Sequence, residues 1–196
     1  MKKISCLLLL LFFFVSPFSL NAQNLKDQVP SPKTKLEEFS ARTGVVIIRG
    51  FEEIGSVHGL YSTSINVEAK EFVNVSTGIR EYGITVEVKK EDGKYDKKNT
   101  SYIDYDEIES LISGIDYIAK VDKSSTKFSN FQADYNTKGD FKISTFSSPS
   151  SLDKIMVAVS SGHFGGVTAY FKISSLAEIK IIIEQAKTRI DTLKSK

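Results

Sequence analysis

Residues 169–193, AYFKISSLAEIKIIIEQAKTRIDTL, carry the clearest change of hydrophobic period in the chain. Val167, Ala169, Phe171 and Ile173 alternate with Thr168, Tyr170 and Lys172, which is the two-residue period of a half-buried strand. Leu176, Ile179, Ile183, Ala186, Ile190 and Leu193 then recur at spacings of three and four, with Ile182 widening the stripe and Ile181 lying off it. The pattern predicts a strand that runs directly into a long amphipathic helix. Ser174 or Ser175 is the expected N-cap, and Glu178 is placed to close a capping box with Ser175.

Residues 101–121, SYIDYDEIESLISGIDYIAKV, repeat that change of period. A shift of 68 residues superposes Tyr102 on Tyr170, Ile103 on Phe171, Ile108 on Leu176, Leu111 on Ile179 and Ile115 on Ile183. Identity is low, so the match is one of pattern, and any two strand–helix junctions share part of it. It suggests an internal duplication.

Between these landmarks the chain alternates strands and turns. Residues 34–42 (TKLEEFSAR) predict a short helix with Leu36 and Phe39 on one side, stopped at Gly44. A β-branched run begins at Val45 and extends toward Ile54, and His58-Gly59 reads as part of a turn. Ile65, Val67, Ala69, Val73 and Val75 keep one parity, which calls for a bulge near Glu71-Phe72. Ile84, Val86 and Val88 alternate strictly with polar residues. Residues 91–99 predict a solvated hairpin loop, residues 102–105 a short strand, and Asp106 a cap for the helix that follows. Past a Ser/Lys-rich linker at residues 123–127, Phe131, Ala133 and Tyr135 start a strand, and NTKGD at residues 136–140 turns it back into residues 141–146. After a loop at residues 147–153, Ile155, Val157 and Val159 form a strand, and SSGHFGG at residues 160–166 turns into the last one.

The count is four strands and a helix, twice. Most connections are too short for crossovers, so the sheets should be antiparallel, with the helices packed on one face, an α+β fold. The expected organisation is a leader at residues 1–23, a tether and short helix at 24–43, and ββββα halves at 44–122 and 123–196 that form one compact domain.

The leader is a secretory signal. Lys2 and Lys3 precede a short apolar run at residues 7–15, and small and polar residues follow to Ala22 and Gln23, where cleavage is expected. Its Asn-Ala-Gln ending resembles those of envelope proteins of the Bacteroidota. The run is short and broken by Pro17, so no membrane span is expected to remain after cleavage, and the address is secreted or periplasmic. Removing 23 of the 196 residues leaves 173, enough for one domain with a sizeable core. Cys6 leaves with the leader, so disulfide, thiolate and cysteine-metal chemistry are not expected. Lys2 and Lys3 also leave, which takes 26 basic residues to 24 against 24 acidic ones. A balanced surface offers no electrostatic case for nucleic acid or an anionic membrane.

The order ββββα twice resembles the duplicated fold of the Whirly proteins over most of the mature chain. That resemblance implies binding of single-stranded nucleic acid through basic, aromatic-lined strands. No lysine-rich motif, no net charge and no cytoplasmic address accompany it here, and no site residue is carried over.

Candidate chemistry is sparse. His163 lies beside Ser160 and Ser161 in a glycine-rich turn, where a Ser161–His163 pair is conceivable, although no nucleophile-elbow motif surrounds it and an exposed hairpin tip is the plainer account. Asp104, Asp106, Glu107 and Glu109 form an acidic cluster that could bind calcium only if their oxygens converged, whereas capping and the helix dipole explain carboxylates in a first turn. Of these, His163, Ser161, Asp104 and Asp106 are the surface candidates, and no cofactor is expected. Tyr61, Tyr82, Tyr95 and Tyr117 could line a ligand surface, although aromatic residues at strand spacing usually serve packing. The terminal helix stripe could pair with a second copy, but burial against its own sheet competes with that. The leading expectation is a non-catalytic secreted domain of the cell envelope that binds a protein or small-molecule ligand. A hydrolase-like site assembled only in three dimensions, and single-stranded nucleic-acid binding by fold, stand as alternatives.

Overall fold

In the computed structural model the described residues are 33–148, 155–162 and 165–195. The leader, the tether and His163 lie outside them. Helix α1 spans Lys35–Ala41; strands β1 (Ile47–His58), β2 (Thr63–Asn74), β3 (Arg80–Lys90) and β4 (Lys97–Asp104) lead into α2 (Tyr105–Ile118). A 3-10 turn at Lys123–Ser125 precedes β5 (Gln132–Asn136), β6 (Phe141–Ser147), β7 (Ile155–Ser161), β8 (Val167–Lys172) and α3 (Ser175–Lys194). Strands pair in sequence order in two antiparallel four-stranded sheets, β1-β2-β3-β4 and β5-β6-β7-β8. The fold is α+β, as the pattern of elements predicts, and the two ββββα units form two sheets rather than one.

One apolar core joins the halves. The inward positions of the first sheet, Ile65, Val67, Ile84, Val86 and Val88, meet Ile143, Val157, Val159, Ala169 and Phe171 of the second. Helices α2 and α3 bury Ile108, Leu111, Ile115 and Leu176, Ile179, Ile183, Ile190 in the same core. Four of the five pairs superposed by the 68-residue shift are equally buried, Ile103 with Phe171, Ile108 with Leu176, Leu111 with Ile179 and Ile115 with Ile183, whereas Tyr102 packs beside α1 and Tyr170 is exposed.

Helix α1 covers the opposite face of the first sheet. Its Leu36 and Phe39 pack with Phe72, flanked by Ile47 and Tyr102, in a second small core. This arrangement removes the need for a bulge near Glu71-Phe72. The β2–β3 register runs without a break from Thr63 opposite Lys90 to Val73 opposite Arg80, and Phe72 faces outward because α1 waits there. The irregularity falls instead in β1, between Glu53 and Gly55. It turns Val57 into the core beyond the slip, while Glu52 on the near side reaches Arg189 of α3 at 2.8 Å.

The helix starts differ from expectation. Helix α1 has a full capping box between Thr34 and Glu37. Helix α2 starts at Tyr105, one residue before the expected cap Asp106, and the Asp104 carboxylate at its N-cap position makes no cap bond to it. Ser174 precedes α3 in a helical conformation and likewise makes no side-chain cap bond. These two helices hold their place through burial, not capping. The stripe on α3 that a helical dimer would need faces the chain's own sheets, and Ile181 is the large apolar residue it leaves outward. Among the described residues no helix is long and apolar enough to cross a membrane.

Ile183→Ala removes a wholly buried side chain and should cost about 2–5 kcal/mol. Ile181→Ala, at a position 50% exposed, should stay within about 0.5 kcal/mol. Urea unfolding midpoints check the contrast; equal effects would mean that α3 does not pack on its sheets in this way.

Candidate functional site

The acidic cluster is a clasp. Asp104 is 2% exposed, and its carboxylate accepts the backbone N–H groups of Lys35 at 2.9 Å and Leu36 at 3.2 Å. It therefore caps α1, an element 69 residues earlier in the chain, where two unsatisfied donors and the helix dipole favour a negative charge. Asp106 accepts from Lys35 Nζ at 2.7 Å, and that hydrogen bond holds its carboxyl below the usual carboxylate range. Glu107 Oε1 accepts from Lys138 N–H at 2.9 Å, and Glu109 lies 3.6 Å from Lys187. Asp104 and Asp106 thus both hold Lys35, by its backbone and its side chain, while Glu107 and Glu109 engage Lys138 and Lys187. Among the described residues no group of three or more His, Cys, Asp or Glu side chains is placed to hold a metal ion.

Ser161 is 0% exposed, so it is no surface residue. Its hydroxyl donates to Asn99 Oδ1 at 3.3 Å and lies 2.8 Å from Ser101 Oγ, which ties β7 to β4 across the two sheets. A buried hydroxyl pair of this kind satisfies both groups and fixes the sheets in register. His58, at the end of β1, is exposed.

The feature that sequence reasoning missed lies on the outward face of the second sheet. A cleft of about 370 Å³ opens between the β5–β6 and β7–β8 hairpin ends. Asn136, Lys142, Ser160 and Thr168 stand opposite one another in a single row across β5, β6, β7 and β8, and Thr137, Asp140, Gly162 and Gly166 line the cleft beside that row. Ser160 and Thr168 are directly opposed in the β7–β8 ladder, and their hydroxyls are 2.9 Å apart. Lys142 lies 3.3 Å from Asp134, which also accepts from Ser144 at 2.6 Å and from Gln132 Nε2 at 2.8 Å.

The cleft is pinned. Both oxygens of Asp140 accept from Lys33 Nζ, at 2.6 and 2.7 Å, and the Asp140 carbonyl accepts from Gly162 N–H at 3.1 Å, so one residue joins the N-terminal segment to both hairpin ends. Thr137 Oγ1 accepts from Phe141 N–H at 3.1 Å inside the turn. Gly162 has φ +87°, a left-handed backbone that favours glycine, and a Cβ there would also displace the Asn99 side chain.

Tyr170 shares the outward face of β8 with Thr168, and Tyr61 meets it edge to face with ring centroids 6.2 Å apart. Tyr95, in the β3–β4 loop, and Tyr117, in the last turn of α2, are exposed. Tyr82 is half-buried and donates to Glu71 at 2.9 Å; burial and that bond raise its hydroxyl above the usual range. Alternation in the sequence marks Lys142, Ser160, Thr168 and Tyr170 as outward, but it cannot tell that the β1–β2 turn brings Tyr61 beside β8.

A second titratable cluster pins α3. Tyr105, the first residue of α2, donates to Asp191, which is 3.2 Å from Lys187, and Lys194 Nζ sits 3.5 Å from the centroid of the Tyr105 ring. The bond from Tyr105 lowers the Asp191 carboxyl and raises the Tyr105 hydroxyl. The lowered carboxyl stabilises the fold above the ordinary carboxylate range, and that contribution is lost as pH falls through its folded value. The raised hydroxyl stabilises below the ordinary tyrosine range, and its contribution is lost as pH rises through its folded value. Tyr105→Phe should therefore flatten both the acid and the alkaline limbs of a melting-temperature profile; unchanged limbs would show that the pair is not formed.

Comparison with known protein families, curated proteins and solved structures finds no match to this chain.

Proposed function

We propose that the chain is a non-catalytic binding domain exported to the cell envelope, and that it holds a small polar ligand in the cleft between the hairpin ends of its second sheet. The observation that carries this is the cleft itself: polar groups from two hairpins converge there, and Asp140 braces both hairpin ends before any ligand arrives. Binding sites of this size work by a few placed polar groups on a rigid frame, because groups that are already ordered lose little entropy on binding. The leader pattern supports export, with cleavage near Ala22 or Gln23. Of the residues a hydrolase-like site could use, Ser161 has its hydroxyl engaged by Asn99 and Ser101, the carboxylates of the acidic cluster are engaged in structural contacts, and His163 lies outside the described residues.

The test is a titration of the isotopically labelled mature chain with the small-molecule fraction of the producing cell's envelope, followed by amide chemical shifts. Shifts should cluster at Asn136, Lys142, Ser160 and Thr168. Shifts confined to other surfaces, or none, would overturn the assignment.

A further inference from the structure

The β1–β2 turn carries an aromatic residue where backbone geometry argues against one. Tyr61 has φ 57° and Ser62 φ 55°, and Thr63 N–H donates to the Leu60 carbonyl at 3.2 Å. These are the left-handed values of a type I′ hairpin turn, whose two central positions favour Asn and Gly because a Cβ crowds the backbone there. A bulky residue in that conformation is an outlier. No burial compensates for it, since Tyr61 is 72% exposed. Strain of this kind, kept at a solvent-exposed position, points to use of the side chain outside the fold.

The turn is also held in place. Leu60 N–H donates to the Tyr170 carbonyl at 2.6 Å, and Tyr170 N–H donates to Thr63 Oγ1 at 3.2 Å, so the turn is bridged to β8. Thr63 Oγ1 in turn donates to the Leu60 carbonyl at 2.6 Å. A Cβ on Gly59 would collide with the Tyr170 carbonyl, which is the close approach that lets the turn dock. The first half of the chain thus delivers Tyr61 onto the outward face of the second sheet, beside Tyr170. Two positions along β8 from Tyr170, about 6.6 Å by strand geometry, lies the hydroxyl pair of Thr168 and Ser160 at the mouth of the cleft.

We propose that this face is a saccharide site, with the Tyr61 ring, braced edge to face by Tyr170, as the stacking surface and the row of Ser160, Thr168, Asn136 and Lys142 as the hydrogen-bonding groups; it rests on the cleft being the binding site. A pyranose ring has an apolar C–H face and a rim of hydroxyls that both donate and accept. An exposed tyrosine ring matches the first. Serine and threonine hydroxyls and an amide, which also donate and accept, match the second. Two charged groups bordering the cleft are paired, Lys142 with Asp134 and Lys33 with Asp140, which suits a neutral ligand better than a phosphate or carboxylate. From Tyr170 to Thr168 is about 6.6 Å along β8, and from Thr168 across two strands to Lys142 about 9.6 Å more, a run longer than one sugar ring, so the ligand is an oligosaccharide.

The test uses the mature chain and a panel of neutral glucose, mannose, xylose and N-acetylglucosamine oligosaccharides, read by amide shifts and calorimetry. At least one should shift Tyr61, Tyr170, Ser160 and Thr168 together. Tyr61→Gly should weaken that binding by about tenfold or more, an effect on the scale of losing one stacked aromatic contact. Its melting temperature should hold or rise, because glycine relieves the left-handed strain. Tyr61→Phe, which keeps the ring, should retain binding. If the panel leaves this face unshifted while the envelope small-molecule fraction still shifts it, the ligand class is wrong and the cleft assignment survives. If neither shifts it, both fall. Binding that is equal in Tyr61→Gly and the parent overturns the tyrosine platform.

Discussion

Neither sheet can bury its inward face without the other. The first sheet offers Ile65, Val67, Ile84, Val86 and Val88; the second offers Ile143, Val157, Val159, Ala169 and Phe171; and α2 and α3 fill the same core. Two buried polar contacts cross with the apolar ones: Ser161 meets Ser101 between β7 and β4, and Thr145 Oγ1 donates to the Ile118 carbonyl at the end of α2 at 3.2 Å. Polar groups in such a core are tolerated only when paired, and their geometry then discriminates against sliding of one sheet on the other.

The same constraint explains why the acidic stretch at the start of α2 is structural. With α2 held by burial, Asp104 is available to cap α1 from the side, and Glu107 to hold Lys138 in the β5–β6 turn. Lys33, just ahead of α1, reaches Asp140 in that turn. The N-terminal segment, the start of α2 and the hairpin of the second sheet therefore form one network, and the cleft sits at its outer edge. A rigid cleft on the second sheet depends on contacts made by the first half of the chain.

Period alone made much of the fold legible. The strict alternation at residues 84–88 and the three-four spacing from Leu176 to Ile190 led directly to β3 and α3, and Leu36 and Phe39 marked the buried side of α1. Phe72 was misread as a bulge because periodicity assumes a single buried face, and α1 makes a second one. The expected caps, Asp106 for α2 and Ser174 or Ser175 for α3, rest on local sequence alone, whereas burial holds both helices and the carboxylate at the α2 start, Asp104, serves a helix far away in sequence. The candidate site was the least legible part. Its polar row crosses four strands and its tyrosine pair comes from opposite halves of the chain, so only three-dimensional structure brings Tyr61 to Tyr170.

The functional account assigns one outward face, spanning Tyr61, Tyr170 and the hydroxyl-lined cleft, to ligand binding in the envelope. Three tyrosines of nearly equal exposure provide an internal control: Tyr61 at 72%, Tyr95 at 70% and Tyr117 at 72%. The most direct measurement is residue-resolved tyrosine nitration, comparing the protein in the intact envelope with the purified chain. The account predicts that Tyr61 is protected in the envelope and reactive once purified, while Tyr95 and Tyr117 react equally in both. Equal reactivity of Tyr61 in the two settings would contradict it.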